Sequence, residues 1–206
     1  MTQQARQAHR RTPPSAPPRV LDPIFAVIEQ IDRWRRGIRP LRPDGVLGIE
    51  VRRYRGREVA LRDGTHIRAG DRIVDLHLDN TRIAGVWAAG WRGAFATAED
   101  DLRACARWLA DLQPAARPVA IRAGGLLTVG AARLGFEVGP PRPGFMGALE
   151  SWYLRGLLVR WSRSGRGRLE QGNAPLRTRE SWLSTAVLLA RFGPAPGELR
   201  GGGRGG

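Results

Sequence analysis

The spacing of apolar residues changes from a helical period to a strand period near residue 43, and this change constrains the fold most. Between Asp22 and Pro40 the apolar residues recur every three or four positions, which is typical of an amphipathic helix. Asp22 is a capping residue, Pro23 suits the first helical position, and Gly37 ends the helix. From Val46 to Leu78 apolar and polar residues alternate between glycine turns, which predicts an antiparallel meander of about four short strands.

Helical spacing returns in the second half of the chain, so the predicted fold class is α+β, with the meander packed against about four to five helices. The predicted helices are one capped by Thr97 and ended by Pro114, then 126–134, 145–161 and 180–192. Short strands are predicted at 119–121, 136–138 and 169–171, and Pro140, Pro141 and Pro143 are predicted to form a rigid loop.

The two ends of the chain differ in composition from its centre. Residues 1–19 form a basic, proline-rich arm, and residues 194–206 form a glycine and arginine tail. Neither stretch has enough apolar residues to bury a core, so both are predicted to be disordered. The prediction is therefore a single folded domain over residues 20–193.

The positive charge is concentrated at the same two ends. The chain has 34 arginines, no lysine and 19 acidic residues, for a net charge of +15. Residues 43–150 carry only +2, whereas residues 1–42 carry +6 and residues 151–206 carry +7. An anionic partner is therefore expected to meet the flanks, and the candidates are an anionic membrane surface and, as the alternative, nucleic acid.

Several classes of protein are excluded by what the sequence lacks. The single cysteine, Cys105, rules out a disulfide scaffold and a cysteine-rich zinc site, and its place on an apolar helical stripe predicts an inert core residue. We find no secretory signal and no apolar run of the roughly 20 residues that cross a bilayer. The expected location is the cytoplasm, peripheral to the membrane, and no cofactor or metal is predicted.

Several short motifs carry a resemblance to a known family. They are Leu21-Asp22-Pro23, Glu50 to Arg57, Leu61 to Thr65, Gly70-Asp71, Leu76 to Asn80, Leu134 to Val138 and Glu180 to Ser184. Together they resemble the YkoP-like family of small bacterial domains over about residues 20–193. That family is similar to modules joined to, or encoded beside, polysaccharide deacetylases. The resemblance implies an accessory role at the cell envelope, with a polysaccharide deacetylase or a glycosyltransferase as partner.

A polar cluster at the end of the predicted meander is the candidate catalytic site. His77 and Asp79 are two residues apart on a strand and share a face, so Asp79 is placed to orient His77 as a general base. The alternative is that Asp79 and Asn80 cap the turn that follows. A metal site that joins His66 to His77 and Asp79 is a further alternative.

Arginine and aromatic residues define two further candidate sites. Arg53, Tyr54 and Arg55, together with Asn80, are the predicted ligand-binding residues, because planar guanidinium groups bind phosphate and carboxylate. The alternative for this turn is a solvated hairpin. The predicted membrane contacts combine tryptophan with arginine on two helices: Trp34, Arg36, Trp152, Arg155 and Trp161. The alternative there is ordinary packing of both helices on the sheet.

The favoured function is a non-catalytic accessory module of envelope polysaccharide or lipid metabolism that docks on an anionic membrane. The first alternative is a small enzyme with a His77/Asp79 site, such as an acyltransferase. Residues 131–137 look like the helix-to-strand segment of N-acetyltransferases, but the matching pyrophosphate turn is found only at 200–205, with no helix after it. The second alternative is a nucleic-acid-binding protein, for which the sequence contains no recognisable motif.

Overall fold

A computed structural model describes residues 34–79, 82–83, 85–86, 90–125, 128–161 and 177–194. Side chains are described for these residues except at 91, 128, 129, 146, 153 and 155–161. The described part contains eight strands: β1 (Arg39–Pro40), β2 (Leu47–Arg53), β3 (Val59–Ala60), β4 (His66–Ile67), β5 (Arg72–Leu78), β6 (Ala120–Gly125), β7 (Glu137–Pro141) and β8 (Arg179–Ser184). Its longer helices are α1 (Trp91–Asp111), α2 (Thr128–Arg133), α3 (Gly144–Trp161) and α4 (Thr185–Phe192).

Six of the strands form one mixed sheet in the order β1-β2-β5-β6-β8-β7. β2 is antiparallel to β5 from the pair Leu47–Leu78 to the pair Arg53–Arg72. β6 is parallel to β5, because α1 carries the chain back across the sheet between them. The described residues therefore have the predicted mixture of helices and strands, in a sheet that combines parallel and antiparallel pairs.

The predicted meander is present only in part. Its four strands exist, but β3 and β4 pair with each other in a separate two-stranded sheet, and β2 pairs directly with β5. The hairpin folds over one end of the main sheet and buries Leu61 and Ile67 against Ile73. Burial of these apolar residues accounts for the departure from a continuous meander, since a flat meander would leave them exposed.

The two faces of the main sheet have different environments. One face packs against α1 and α4, and its core includes Val74, Ile121, Leu183, Leu102 and Leu188. The hairpin covers one end of the other face, where Tyr54 and Trp182 are buried. Next to this small apolar cluster the second face carries charged side chains.

Several predicted boundaries are wrong. The predicted helix over 180–192 begins only at Thr185, because the residues before it form β8 between β6 and β7. Helix α1 begins at Trp91, and Thr97 lies inside it, where its hydroxyl donates to the Gly93 carbonyl. Pro140 and Pro141 end the edge strand β7, a position at which a missing N–H is tolerated.

Other predictions lie partly or wholly outside the described residues. Of the first predicted helix, residues 34–36 are described and helical, and Gly37 ends them at a φ of 61°. The start of that helix at Asp22, the strand at 169–171 and the arm over 1–19 lie outside. So does the tail beyond Pro194.

Candidate functional site

Charged side chains form a row across the second face of the sheet. Strand pairing places Glu50 of β2 opposite Asp75 of β5, and Asp75 opposite Arg122 of β6. Side chains two residues apart on a strand share a face, so His77 lies on the same face as Asp75. On β8, Trp182 is opposite Arg122, so Glu180, two residues before Trp182, lies on this face as well. Four strands that are distant in sequence therefore contribute to one polar surface, which we call the charged row. Its members are Glu50, Arg52, Asp75, His77, Arg122 and Glu180.

Asp75 is the centre of the charged row and is almost fully buried. The Nε and one terminal nitrogen of Arg122 donate to its two oxygens at 2.6 and 2.8 Å, and Arg52 donates to the second oxygen as well. Burial alone would raise the pKa of Asp75, but the hydrogen bonds from Arg122 and Arg52 outweigh it and hold the pKa below its ordinary value. The carboxylate therefore stays charged at neutral pH.

At the β2 end of the row, His77 forms a pair with Glu50. Its Nε2 lies 3.2 Å from a Glu50 oxygen, and because a carboxylate only accepts, Nε2–H is the donor. Burial lowers the pKa of His77, although the charges of Glu50 and Asp75 act in the opposite direction. The imidazole is therefore neutral at neutral pH and is oriented by a carboxylate.

The segment before β1 crosses β2 next to this pair. Pro40 of β1 pairs with Gly48, which is itself the partner of His77, and a Cβ at Gly48 would collide with the Ile38 side chain. This close crossing places a terminal nitrogen of the half-exposed Arg36 4.0 Å from a Glu50 oxygen. Arg36, which was predicted as a membrane contact, thus lies beside the Glu50–His77 pair.

At the other end the row continues towards α3. Arg122 also donates to Glu180 at 3.2 Å, and Arg142 bridges Glu180 at 3.0 Å and Glu150 of α3 at 2.8 Å. The guanidinium of Arg122 lies 5.9 Å from the centre of the Trp182 ring. Each carboxylate of the row thus has an arginine nitrogen within 4.0 Å.

The structure places Asp79 at the turn that follows β5. The Asp79 carboxylate accepts from the backbone N–H of Arg82 at 3.2 Å, and its backbone carbonyl accepts from Ile83 at 2.9 Å. This geometry corresponds to the turn-capping alternative. Asn80, the neighbouring candidate, lies outside the described residues.

The predicted ligand-binding turn is built around a buried ring. Tyr54 is buried, its hydroxyl donates to the Arg57 carbonyl at 2.7 Å, and its ring meets Trp182 edge to face. Burial raises the pKa of Tyr54. Arg53 is exposed and donates to the Gly70 carbonyl, while Arg55 is exposed at the turn. The tyrosine therefore anchors the hairpin, and the two arginines point away from the core.

Within the described residues one group has the composition of a metal site. Ligand atoms of Glu50, Asp75 and His77 lie within 4.8 Å of one another. The guanidinium groups of Arg52 and Arg122 already bind Asp75, so a cation there would face two positive charges at close range. His66 does not belong to this group and instead pairs with Glu58 at 2.7 Å on the hairpin. We therefore assign no metal to the charged row.

Two large apolar side chains near the start of helix α3 are exposed. Phe145 is 78% exposed and Leu149 is 44% exposed, four residues apart on one face, with the exposed Ala148 between them. The inward face carries small residues: Gly147 is buried, and the buried Ser151 hydroxyl is 2.9 Å from that of Thr178. We call Phe145, Ala148 and Leu149 the outer stripe.

The remaining predicted membrane contacts are distributed over two places. Trp34 is 81% exposed at the start of the described chain, and Trp152 is half-buried on α3. The helix includes Arg155 and Trp161, whose side chains are not described. Among the described residues, no helix combines the length and the apolar character needed to cross a bilayer.

Sequence reasoning did not identify most of the charged row. Glu50 and Arg122 lie 72 positions apart in the chain, and only the sheet register brings them to one face. The available signal was a charged residue within an otherwise apolar strand, such as Asp75 between Val74 and Leu76 or Arg122 after Ile121. Such a residue needs a buried partner, but the local sequence does not show which residue that partner is.

Comparison with known proteins agrees with the resemblance found in the sequence. The family model of the YkoP domain matches residues 19–192. The chain belongs to the YkoP domain family. This YkoP domain is also similar to the Uncharacterized protein YkoP of Bacillus subtilis (strain 168), at 35% identity over 68 residues, which are 32% of the chain and 33% of that relative. No solved structure matches the chain.

Proposed function

We propose that this YkoP domain is an accessory module of envelope polysaccharide or lipid metabolism that docks on an anionic membrane through helix α3. The observation that carries the proposal is the outer stripe, since Phe145 and Leu149 face solvent while the inward face has Gly147 and Ser151. A helix that only packs on the sheet would bury its large apolar residues and expose its small polar ones. The exposure of Phe145 and Leu149 therefore supports an apolar contact outside the fold.

The charge of the chain supports an anionic membrane as that contact. Residues 151–206, which begin within α3, carry a net charge of +7. Helices that lie in the interface combine aromatic and aliphatic residues on one face with arginine, and anionic lipids attract them. Helix α3 contains aromatic, aliphatic and arginine residues over its 18 positions, but they are distributed around the helix, so the exposed outer stripe near its start carries the proposal.

Internal contacts position the helix for such docking. Arg142 links Glu150 to the sheet through Glu180, and the Ser151 hydroxyl binds Thr178. The Ser151 contact is buried, and neither contact involves Phe145 or Leu149, so both hold the helix while the outer stripe stays exposed. Membrane contact would therefore require no rearrangement of the sheet.

The experiment is co-sedimentation of the full chain with vesicles at low salt. We expect binding to vesicles of phosphatidylglycerol and phosphatidylcholine, and little binding to phosphatidylcholine alone. The double variant Phe145→Gln/Leu149→Gln should bind about thirtyfold more weakly, since two large apolar side chains contribute about 2 kcal/mol or more when buried. The control is Val51→Thr, which changes an exposed apolar residue on β2 instead.

Four outcomes would contradict membrane docking. Equal binding to both kinds of vesicle would show that anionic lipid is not required. Unchanged binding of the double variant would show that the outer stripe does not contact the membrane. A shift of the double variant from dimer to monomer in analytical ultracentrifugation would assign the stripe to contact between copies. Binding to duplex DNA in place of vesicles would favour the nucleic-acid alternative.

The envelope part of the proposal rests on the family resemblance. Modules similar to this family are joined to, or encoded beside, polysaccharide deacetylases, which supports a deacetylase or a glycosyltransferase as partner. We expect a tagged copy to recover such an enzyme from the membrane fraction of its own cells. Recovery of the same enzyme by the Phe145→Gln/Leu149→Gln variant from a detergent extract would separate enzyme binding from lipid binding.

A further inference from the structure

The β2 end of the charged row brings together three groups of different chemistry. Glu50 offers carboxylate oxygens, His77 offers an imidazole, and Arg36 offers a half-exposed guanidinium. They come from β2, β5 and the segment before β1, and the Gly48 crossing holds them together. None of them belongs to the outer stripe, so a ligand site built from these three groups is independent of membrane docking.

The Glu50–His77 pair suits a hydroxyl group rather than a bare anion. A neutral imidazole whose Nε2–H donates to Glu50 keeps Nδ1 as an acceptor, and the carboxylate has further lone pairs. Acceptors of this kind bind O–H donors, and the negative charge of Glu50 repels an anion placed directly against it. The pair alone therefore favours a ligand with one or more hydroxyl groups.

Arg36 adds the second requirement. Its guanidinium lies 4.0 Å from Glu50 and is half exposed, so an anionic group of the ligand can approach it from solvent. Guanidinium groups bind phosphate through two parallel N–H donors. Arg52 and Arg122, the two arginines of the charged row, both donate to Asp75.

We propose that Glu50, His77 and Arg36 form a binding site for a hydroxyl-bearing phosphate of the glycerol phosphate type. Arg36 binds the phosphate, and Glu50 and His77 accept hydrogen bonds from the neighbouring hydroxyl groups. The same chemistry occurs in a free polyol phosphate and in the headgroup of phosphatidylglycerol. The experiment distinguishes these two sources.

Isothermal titration calorimetry of the full chain with glycerol 1-phosphate tests whether this site binds the ligand. We expect binding to glycerol 1-phosphate, with at least tenfold weaker binding of inorganic phosphate and of glycerol, since each lacks one half of the ligand. His77→Gln and Glu50→Gln should each weaken binding about tenfold. The matched controls are His66→Gln and Glu58→Gln, which alter the exposed pair on the hairpin.

A vesicle arm identifies the lipid source. Phosphatidylglycerol and phosphatidylserine both give anionic vesicles at neutral pH, but only phosphatidylglycerol presents a glycerol headgroup. If the site binds the lipid, wild type prefers phosphatidylglycerol and His77→Gln loses that preference while keeping charge-dependent binding. If it binds a free compound, glycerol 1-phosphate binds and the two vesicles are equivalent. Loss of all vesicle binding with retained glycerol 1-phosphate binding would contradict only the docking proposal.

A spectroscopic measurement on the wild type makes the test independent of variant folding. The imidazole ¹⁵N and ¹H resonances of His77 should shift on addition of glycerol 1-phosphate, while those of His66 stay in place. Equal affinity for inorganic phosphate and glycerol 1-phosphate would overturn the site. So would an unshifted His77 resonance together with equal binding to both kinds of vesicle.

Discussion

Arg122 binds Asp75 with two parallel hydrogen bonds of 2.6 and 2.8 Å across a parallel strand pair. The two residues are 47 positions apart in the chain, and they face each other because β5 and β6 pair in the register that aligns them. A carboxylate at this buried position requires a cation to offset its loss of hydration. The rest of the charged row is arranged around this pair.

The first prediction concerns the charge of Asp75. Asp75→Asn keeps the volume but removes the carboxylate that Arg52 and Arg122 share at a buried site, and Arg122 is then paired with Glu180 alone. We expect a loss of about 3 kcal/mol in the free energy of unfolding, measured by urea denaturation. Arg62→Gln is the control, since this arginine is 92% exposed and its ion pair contributes little. A loss no larger than that of the control would show that the row is dispensable for stability.

The second prediction concerns Asp101 on α1. Its carboxylate is fully buried and accepts from the backbone N–H groups of Val46 and Leu47, both at 2.8 Å. Asp101→Ala should cost about 3 kcal/mol of unfolding free energy, because two backbone donors at the start of β2 lose their acceptor. The neighbouring Asp100→Ala, at an exposed position, should change it by less than about 0.5 kcal/mol. Equal effects of the two variants would contradict this role.

The third prediction is a pH dependence of stability. Burial lowers the pKa of His77 in the folded state, whereas the unfolded chain has the ordinary value of about 6.5. Protonation therefore favours unfolding, so this contribution is complete above about pH 6.5 and declines as the pH falls towards the folded pKa. Urea denaturation between about pH 5 and pH 8 should show this decline, and His77→Gln should flatten it.

Asp75 does not produce the same effect. Its folded pKa lies below the ordinary value, so its contribution is lost only at more acidic pH, as the pH falls through that lowered pKa. His66→Gln, on the exposed hairpin, is the control for the histidine variant. A pH profile that His77→Gln leaves unchanged would contradict the assignment.

The fourth prediction uses the single cysteine as a probe. Cys105 is fully buried in the core, and burial raises the pKa of its thiol to about 12. The native protein should therefore react with a thiol reagent such as iodoacetamide only when it opens, and fully in urea. The Asp101→Ala variant should label about a hundredfold faster, because the open fraction rises tenfold for each loss of about 1.4 kcal/mol in stability. Rapid labelling of the native wild type would contradict this burial.

Local sequence patterns predicted the elements that depend on local chemistry. The alternation over 46–78 identified β2 and β5, and the glycine turns identified the hairpin between them. Residues 145–161 were predicted as a helix and match α3 within one residue. Strand and helix periods are properties of a single segment, so a single segment is enough to read them.

The sequence predicts the wrong structure for segments whose conformation depends on pairing with neighbouring strands. Residues 180–184 contain Trp182 and Leu183, an apolar pair that suits a buried strand or a buried helix equally well. Pairing with β6 on one side and β7 on the other selects the strand, and Ser184 then caps α4 by accepting from the Val187 N–H. Two flanking strands supply hydrogen bonds that no local propensity can match.

By itself the sequence determined the near-neutral centre, the basic flanks, the α+β composition and the helix that carries Phe145 and Leu149. Only the tertiary structure decided that these two residues face outward and that His77 pairs with Glu50. The reason is that side-chain direction on a helix depends on what the helix packs against, and sheet contacts depend on register between distant strands. Both are set by long-range packing, which a segment read alone does not contain.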